Sequence, residues 1–332
     1  MRTIPIGSRG GKLQNRLGTG CVILKQMRLT ATSAAKDGGR SATQNVAGWI
    51  VGVALWGLAG LAGAQTPATM ASLLSVPPRQ WAVEGAANEL KVINYGNSYL
   101  RYREHSVDAK GDHVRDLIES KDGPVARLIL KDGRPLTDEE DRLEHERLQA
   151  MLDSPAAFAK HIKNDTNGKK MGADLIKLVP DAMIFTYTPG QPQRADRVMH
   201  EGDLPEIVMD FEPNPNWNPP TMTADALQGI KGRVWIDAKT HYLARMEGTL
   251  FKAVNFGLFL ARLYPGGKLT FEQVRVAENR WIFSRFTEHV DVRVLVKTLR
   301  ENVEIESANY SVVPAMSYQD AIKMLWATPL PR

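Results

Sequence analysis

Between residues 231 and 300 apolar and polar side chains alternate over several consecutive runs divided by turn-forming residues. A period of two marks strands with one buried and one wetted face. The cleanest run sets Val290, Val292, Val294 and Val296 against His289, Asp291, Arg293 and Lys297. In the run before it, Tyr242, Ala244, Met246, Leu250, Val254 and Phe256 share a parity, and Gly248 falls among them where a bend or bulge would need no side chain. Runs of this kind joined by short turns form an antiparallel meander. Its function depends on whether the apolar face is packed or kept open.

Further runs extend the pattern toward the N-terminus. Three strands are expected over 98–107, 113–120 and 125–131, with Asp122-Gly123 and Asp132-Gly133 as turns, because both residue types tolerate the positive φ of tight hairpins. A short helix is expected over 79–92, with Trp81 and Leu90 as apolar anchors. After Pro135 the pattern becomes helical. Thr137 and Glu140 make a capping box, the acidic turn Asp138 to Asp141 suits a helix N-terminus, and the helix should run to about Leu152. Ser154-Pro155 then caps a second helix reaching about Lys163. This insertion, about 137–163, should lie across a sheet face or over its open edge. Strand signals return at 182–188 and 206–211, and an amphipathic turn at 317–326 should dock the C-terminus.

The formal charge of +5 belongs to the first 64 residues, which hold eight of the 42 Lys and Arg and, with Asp37, one of the 37 Asp and Glu. The remainder has 34 basic against 36 acidic residues, a net −2, so no nucleic-acid footprint is present. Residues 46–64 are uncharged, follow a basic lead and end in Ala62-Gly63-Ala64, the form of a secretory signal cleaved before Gln65. Met1 or Met27 is the start. The alternative is an inner-membrane anchor through 46–64, since the uncharged run is about long enough to span a bilayer. Cys21 is the only cysteine, so the exported part has no thiol for a disulfide, a metal or nucleophilic catalysis. The expected organisation is a leader at 1–64, a linker at 65–80 and one domain at 81–332.

Motifs for the common enzyme classes are missing: H-E-x-x-H, G-x-S-x-G, a Walker loop and a dinucleotide fingerprint. Asp237 and His241 bracket a turn and either pair as an oriented base or decorate the surface. Glu144-His145-Glu146 lies on a charged helix, where sequence neighbours do not share a face. Asn214, Asn216 and Asn218 bring no carboxylate, and hard cations want charged oxygens. The stretch from Phe256 to Tyr264 is too apolar for an alternating strand; it is either core or a hydrophobic flap at a cavity rim. Trp217, Trp235 and Trp281 are expected in the core more than on a ligand platform.

The run Gly232-Arg-Val-Trp-Ile-Asp237-Ala-Lys-Thr240, followed by Arg245 and Glu247, resembles the outer-membrane lipoprotein-sorting and lipoprotein-carrier family. Its members have a strand, a D-x-x-T turn and a return strand carrying R-x-E. The resemblance implies an α+β fold: a strongly curved antiparallel sheet, or unclosed β-barrel, with helices on the concave face and an apolar cavity for acyl chains. The residues expected to line it are Trp235, Met246, Phe256, Leu258, Phe259 and Leu263. The expected function is non-catalytic: a periplasmic protein binding a lipid, an acyl chain or a lipoprotein, with no cofactor, metal or catalytic residue. The alternative is an envelope sensor or scaffold whose sheet face is filled by its own helices and whose partner is a protein.

Overall fold

The computed structural model describes residues 70–94, 98–191, 206–256, 261–278, 280–294 and 297–331. The expected leader and the start of the linker lie outside the described residues. A short helix, α1 (Met70–Leu74), precedes α2 (Pro78–Ile93), which begins on a proline in its first turn, where a missing N–H costs nothing. The hairpin region follows as β1 (Tyr99–Asp108), β2 (Gly111–Ser120), β3 (Gly123–Lys131) and the short β4 (Arg134–Pro135). The Asp-Gly turns sit as their chemistry requires, with φ of 131° at Gly123, 52° at Asp132 and 72° at Gly133.

The expected capping box starts α3 (Asp138–Asp153): Thr137 accepts from the Glu140 backbone, and the Glu140 carboxylate accepts from the Thr137 backbone. Ser154 caps α4 (Pro155–Ala182). This second helix does not stop near Lys163 but runs 28 residues, about 42 Å at 1.5 Å per residue. The polar stretch from Lys163 to Lys170, broken by Gly168, hides its second half from pattern reading, and Pro180 in its last turn looks like an earlier stop. Then come β5 (Met183–Tyr187), β6 (Glu206–Pro213), a 3₁₀ turn (Ala224–Gly229), β7 (Ile230–Asp237), β8 (Leu243–Leu250), β9 (Val254–Phe256), β10 (Ala261–Leu263), β11 (Lys268–Ala277), β12 (Arg280–Val294), β13 (Lys297–Val313) and α5 (Tyr318–Trp326).

These strands form one antiparallel sheet in the order β4-β3-β2-β1-β13-β12-β11-β8-β7-β6-β5, with the β9–β10 hairpin joined to the end of β12. β4 and β5 end the path and do not pair with each other, so the fold is α+β with an open sheet, and the sheet is not strongly curled as the resemblance implied. The β3 edge beyond β4 is covered by α3: Glu144 accepts from the Leu128 N–H at 2.8 Å, and Arg147 donates to the Ala126 carbonyl at 2.6 Å. Covering an exposed edge blocks pairing with another chain. Arg127 donates to the carbonyls of Leu325 and Thr328, both at 2.9 Å, and so ties the C-terminal end of α5 to the same region.

One core lies where α3, the start of α4 and α5 meet β2 and β3: Leu148, Met151, Phe158, Ile322 and Leu325 pack on Ile118 and Val125. Ile162 of α4 passes the turn at Gly123. The helix continues until Met171 and Leu175 pack with Leu250, Val254, Leu263, Val290 and Val292. At its end, Val179 and Ala182 join Trp81 of α2 over Ile207, Met209, Val234 and Ile236.

A candidate apolar face and its covers

Strand register gives the sheet one long apolar row. Tyr187, Met209, Val234, Met246, Phe271, Phe286 and Ile305 stand opposite one another in succession across β5, β6, β7, β8, β11, β12 and β13. Ser106 of β1 and His113 of β2 continue it. The neighbouring row on the same face runs Phe185, Phe211, Gly232, Gly248, Leu269, Glu288 and Val303. At its centre the two glycines face each other because there is no room for more: a Cβ on Gly232 would fall 1.8 Å from the Glu247 carbonyl oxygen. A side chain at Gly248 would meet Ile230 at 2.7 Å. Gly248 is thus a packing requirement, and the bulge in this hairpin lies instead opposite the Trp235–Ile236 step.

Part of the opposite face of the same strands is charged. Thr186, Asp210, Arg233 and Glu247 stand in register, and the Arg233 guanidinium holds Asp210 through contacts of 2.7 and 3.2 Å. Together with Lys231 and Thr249 they line a shallow groove of about 530 Å³, whose charged walls do not suit an acyl chain.

Of the six residues expected to line a cavity, Trp235 and Met246 fall on opposite faces: Trp235 pairs with Arg245 and Met246 with Val234. The Arg245 guanidinium lies over the Trp235 ring, 5.4 Å from its centroid. Leu263 is only 1% exposed and sits in the cluster beneath α4. Phe256 ends β9, where its backbone pairs with Ala261; its side chain, Leu258 and Phe259 lie outside the described residues. Trp281 is buried and stacks on Tyr242 at 5.6 Å, and Trp217 packs half-buried against the cluster around Trp81.

The candidate polar motifs separate into structural roles. Asp237 accepts from the Thr240 N–H at 2.7 Å and its hydroxyl at 2.8 Å, so the D-x-x-T sequence closes its own turn. His241, at φ 58°, pairs with Glu84 of α2 instead. In the acidic helix, Glu144 caps the β3 edge, His145 stacks on Trp326 and Glu146 pairs with Arg142. Asn214 accepts from the Asn216 N–H at 3.0 Å and donates to the Asp181 carbonyl at 3.1 Å, which braces the loop. Among the described residues no group of three His, Cys, Asp or Glu could hold a metal ion, and no helix is long and apolar enough to cross a membrane.

Two ionic features, one buried and one half-buried, escaped sequence reading, because both join residues far apart in the chain. Glu119 and Arg280 form a pair with two contacts of 2.7 Å, and Glu119 also accepts from the Leu100 N–H. Burial pushes the Glu119 carboxyl up while Arg280 pulls it down. Glu89 of α2 accepts from Gln273 at 2.5 Å and from the Leu243 N–H at 3.4 Å, and burial pushes its pKa up to about 7.

No family model matches the chain, and no curated protein does. Among solved structures it is similar to a crystal structure provisionally described as an outer membrane lipoprotein-sorting protein domain from Vibrio parahaemolyticus, at 12% identity and a TM-score of 0.30, covering 73% of this chain and 97% of that one.

Proposed function

We propose that this chain is an exported, non-catalytic envelope protein that holds a lipid, or the acyl chains of a lipid-modified partner, on the apolar face of its sheet beneath α4. On this reading the open sheet carries its ligand on the face that α2 and α4 cover. The carrying observation is the contrast between the face and its cover. The face is apolar across seven strands, whereas between Phe158 and Pro180 the only buried residue of α4 among those described is Gly168. Met171 and Leu175, which touch the sheet cluster, are themselves half-exposed. A helix seated so lightly can lift, and an acyl chain taking its place gains about 25 cal/mol for each Å² of apolar surface removed from water. The resemblance of residues 232–247 to lipoprotein carriers supports the same role.

A second reading, an envelope sensor or scaffold, is favoured by the tight packing at Val292 and Leu263, 0% and 1% exposed. Native mass spectrometry of protein purified from envelopes, with displacement of a fluorescent fatty-acid probe, separates the two. A lipid-sized mass increment and saturable probe binding are expected. Lipid-free protein without saturable probe binding leaves the scaffold reading.

A further inference from the structure

Three side chains on α2 fasten it to the sheet. Asn88 donates to the carbonyls of Thr240 and His241, both at 3.0 Å. One turn earlier Glu84 pairs with Nδ1 of His241. Glu89 reaches the start of β8 and the middle of β11, where it meets the Leu243 N–H and the Gln273 amide. Under the same helix, Trp81 covers Ile207, Met209, Val234 and Ile236. Two of the three anchors therefore carry a titratable group.

We propose that α2 is a pH-operated latch on the β7–β8 hairpin, seated while Glu89 carries its proton and loosened when that proton is lost. The latch stands on the packing of α2 and does not depend on what occupies the sheet face. Loss of the Glu89 proton leaves a negative charge whose desolvation only two hydrogen bonds offset, those from the Leu243 N–H and the Gln273 amide. Gln273 is 2% exposed and its Oε1 has no hydrogen-bond partner among the described residues. A half-turn of that amide gives a protonated Glu89 an acceptor.

Among the described residues, the cations beside this site have other carboxylate or amide partners. From the turn before β8, Glu89 is faced by the Tyr242 hydroxyl, which burial and Glu89 both push up. Arg280 of β12 is engaged by Glu119 through both carboxylate oxygens. On α2 itself Lys91 donates to Asn88 and Glu84 belongs to His241. The Glu89 carboxyl accordingly holds its proton to about 7 in the docked state, against 4.5 for a free one. Its contribution to docking is complete below 4.5 and is lost as pH rises through about 7.

Hydrogen exchange of the full chain between about pH 5.5 and 8, with each amide normalised to its intrinsic rate and α5 as internal reference, tests the latch. With those two pKa values, opening of residues 78–93 relative to α5 should grow about 30-fold over this range. Glu89→Gln, which keeps the shape, should remove most of that growth. Wild-type α2 amides that follow α5 at every pH, or a Glu89→Gln variant with the full wild-type profile, would overturn the proposal. Should Glu89→Gln not fold, the carboxyl carbon of Glu89 titrated by NMR in the wild type decides: a midpoint near 7 supports the latch, and one below about 5.5 rejects it.

Discussion

Val292 has no exposed surface and packs with Val290, Leu263 and Leu250, while its neighbour Arg293 is exposed. A carboxylate at position 292 would be buried without a partner, at a cost of several kcal/mol, whereas surface substitutions usually stay within about 0.5 kcal/mol. Thermal melts should therefore show Val292→Asp unfolding the protein and Arg293→Ala leaving it close to wild type. Alternation in the sequence sufficed to place this pair. It did not place Trp235 and Met246, which were expected on one wall. Residues of one face can be named within a strand by parity, but relating two strands needs the register. Here register sets Val234 against Met246 and Trp235 against Arg245, and then slips at the next step.

At the scale of elements, local chemistry was legible and distant partnership was not. The Asp-Gly turns, the Thr137–Glu140 box and the Ser154 cap each involve residues within a few positions of one another, and all form. Met171 and Leu175 in the second half of α4 pack with sheet residues about 70 or more positions downstream, so no local signal announced it. The same holds for the contact of α3 with the β3 edge. Glu144→Ala would strip the Leu128 N–H of its acceptor and leave Arg147 without its close carboxylate contact of 2.7 Å. A loss of about 1–3 kcal/mol is expected in a urea titration, the usual cost of a buried donor left unmade. Light scattering should also show self-association through the uncovered edge. Glu146→Ala is the control: its pair with Arg142 is on the surface, and such pairs are worth about 0–1 kcal/mol.

Over the whole molecule, α4 is the element that joins the two ends of the sheet. It starts in the core with α3 and α5, crosses the Gly123 turn and finishes beside α2 over β5 and β6. Its ends are anchored by Phe158, which stacks on Tyr318 at 3.8 Å, and by Val179 and Ala182. The span between them bears on the sheet through Met171 and Leu175. A strap fixed at both ends can bow outward in the middle without unfolding, which is what entry of an acyl chain onto the row from Met209 to Ile305 would require. The sheet below it should respond differently to the same kind of truncation. Leu263→Ala opens a void in a packed cluster and should cost about 2–5 kcal/mol. The double variant Met171→Ala/Leu175→Ala removes half-exposed side chains and should cost clearly less, while speeding exchange of the fatty-acid probe in stopped flow. Equal destabilisation by both changes, with probe exchange unaltered, would make α4 a fixed part of the core and the apolar face a closed one.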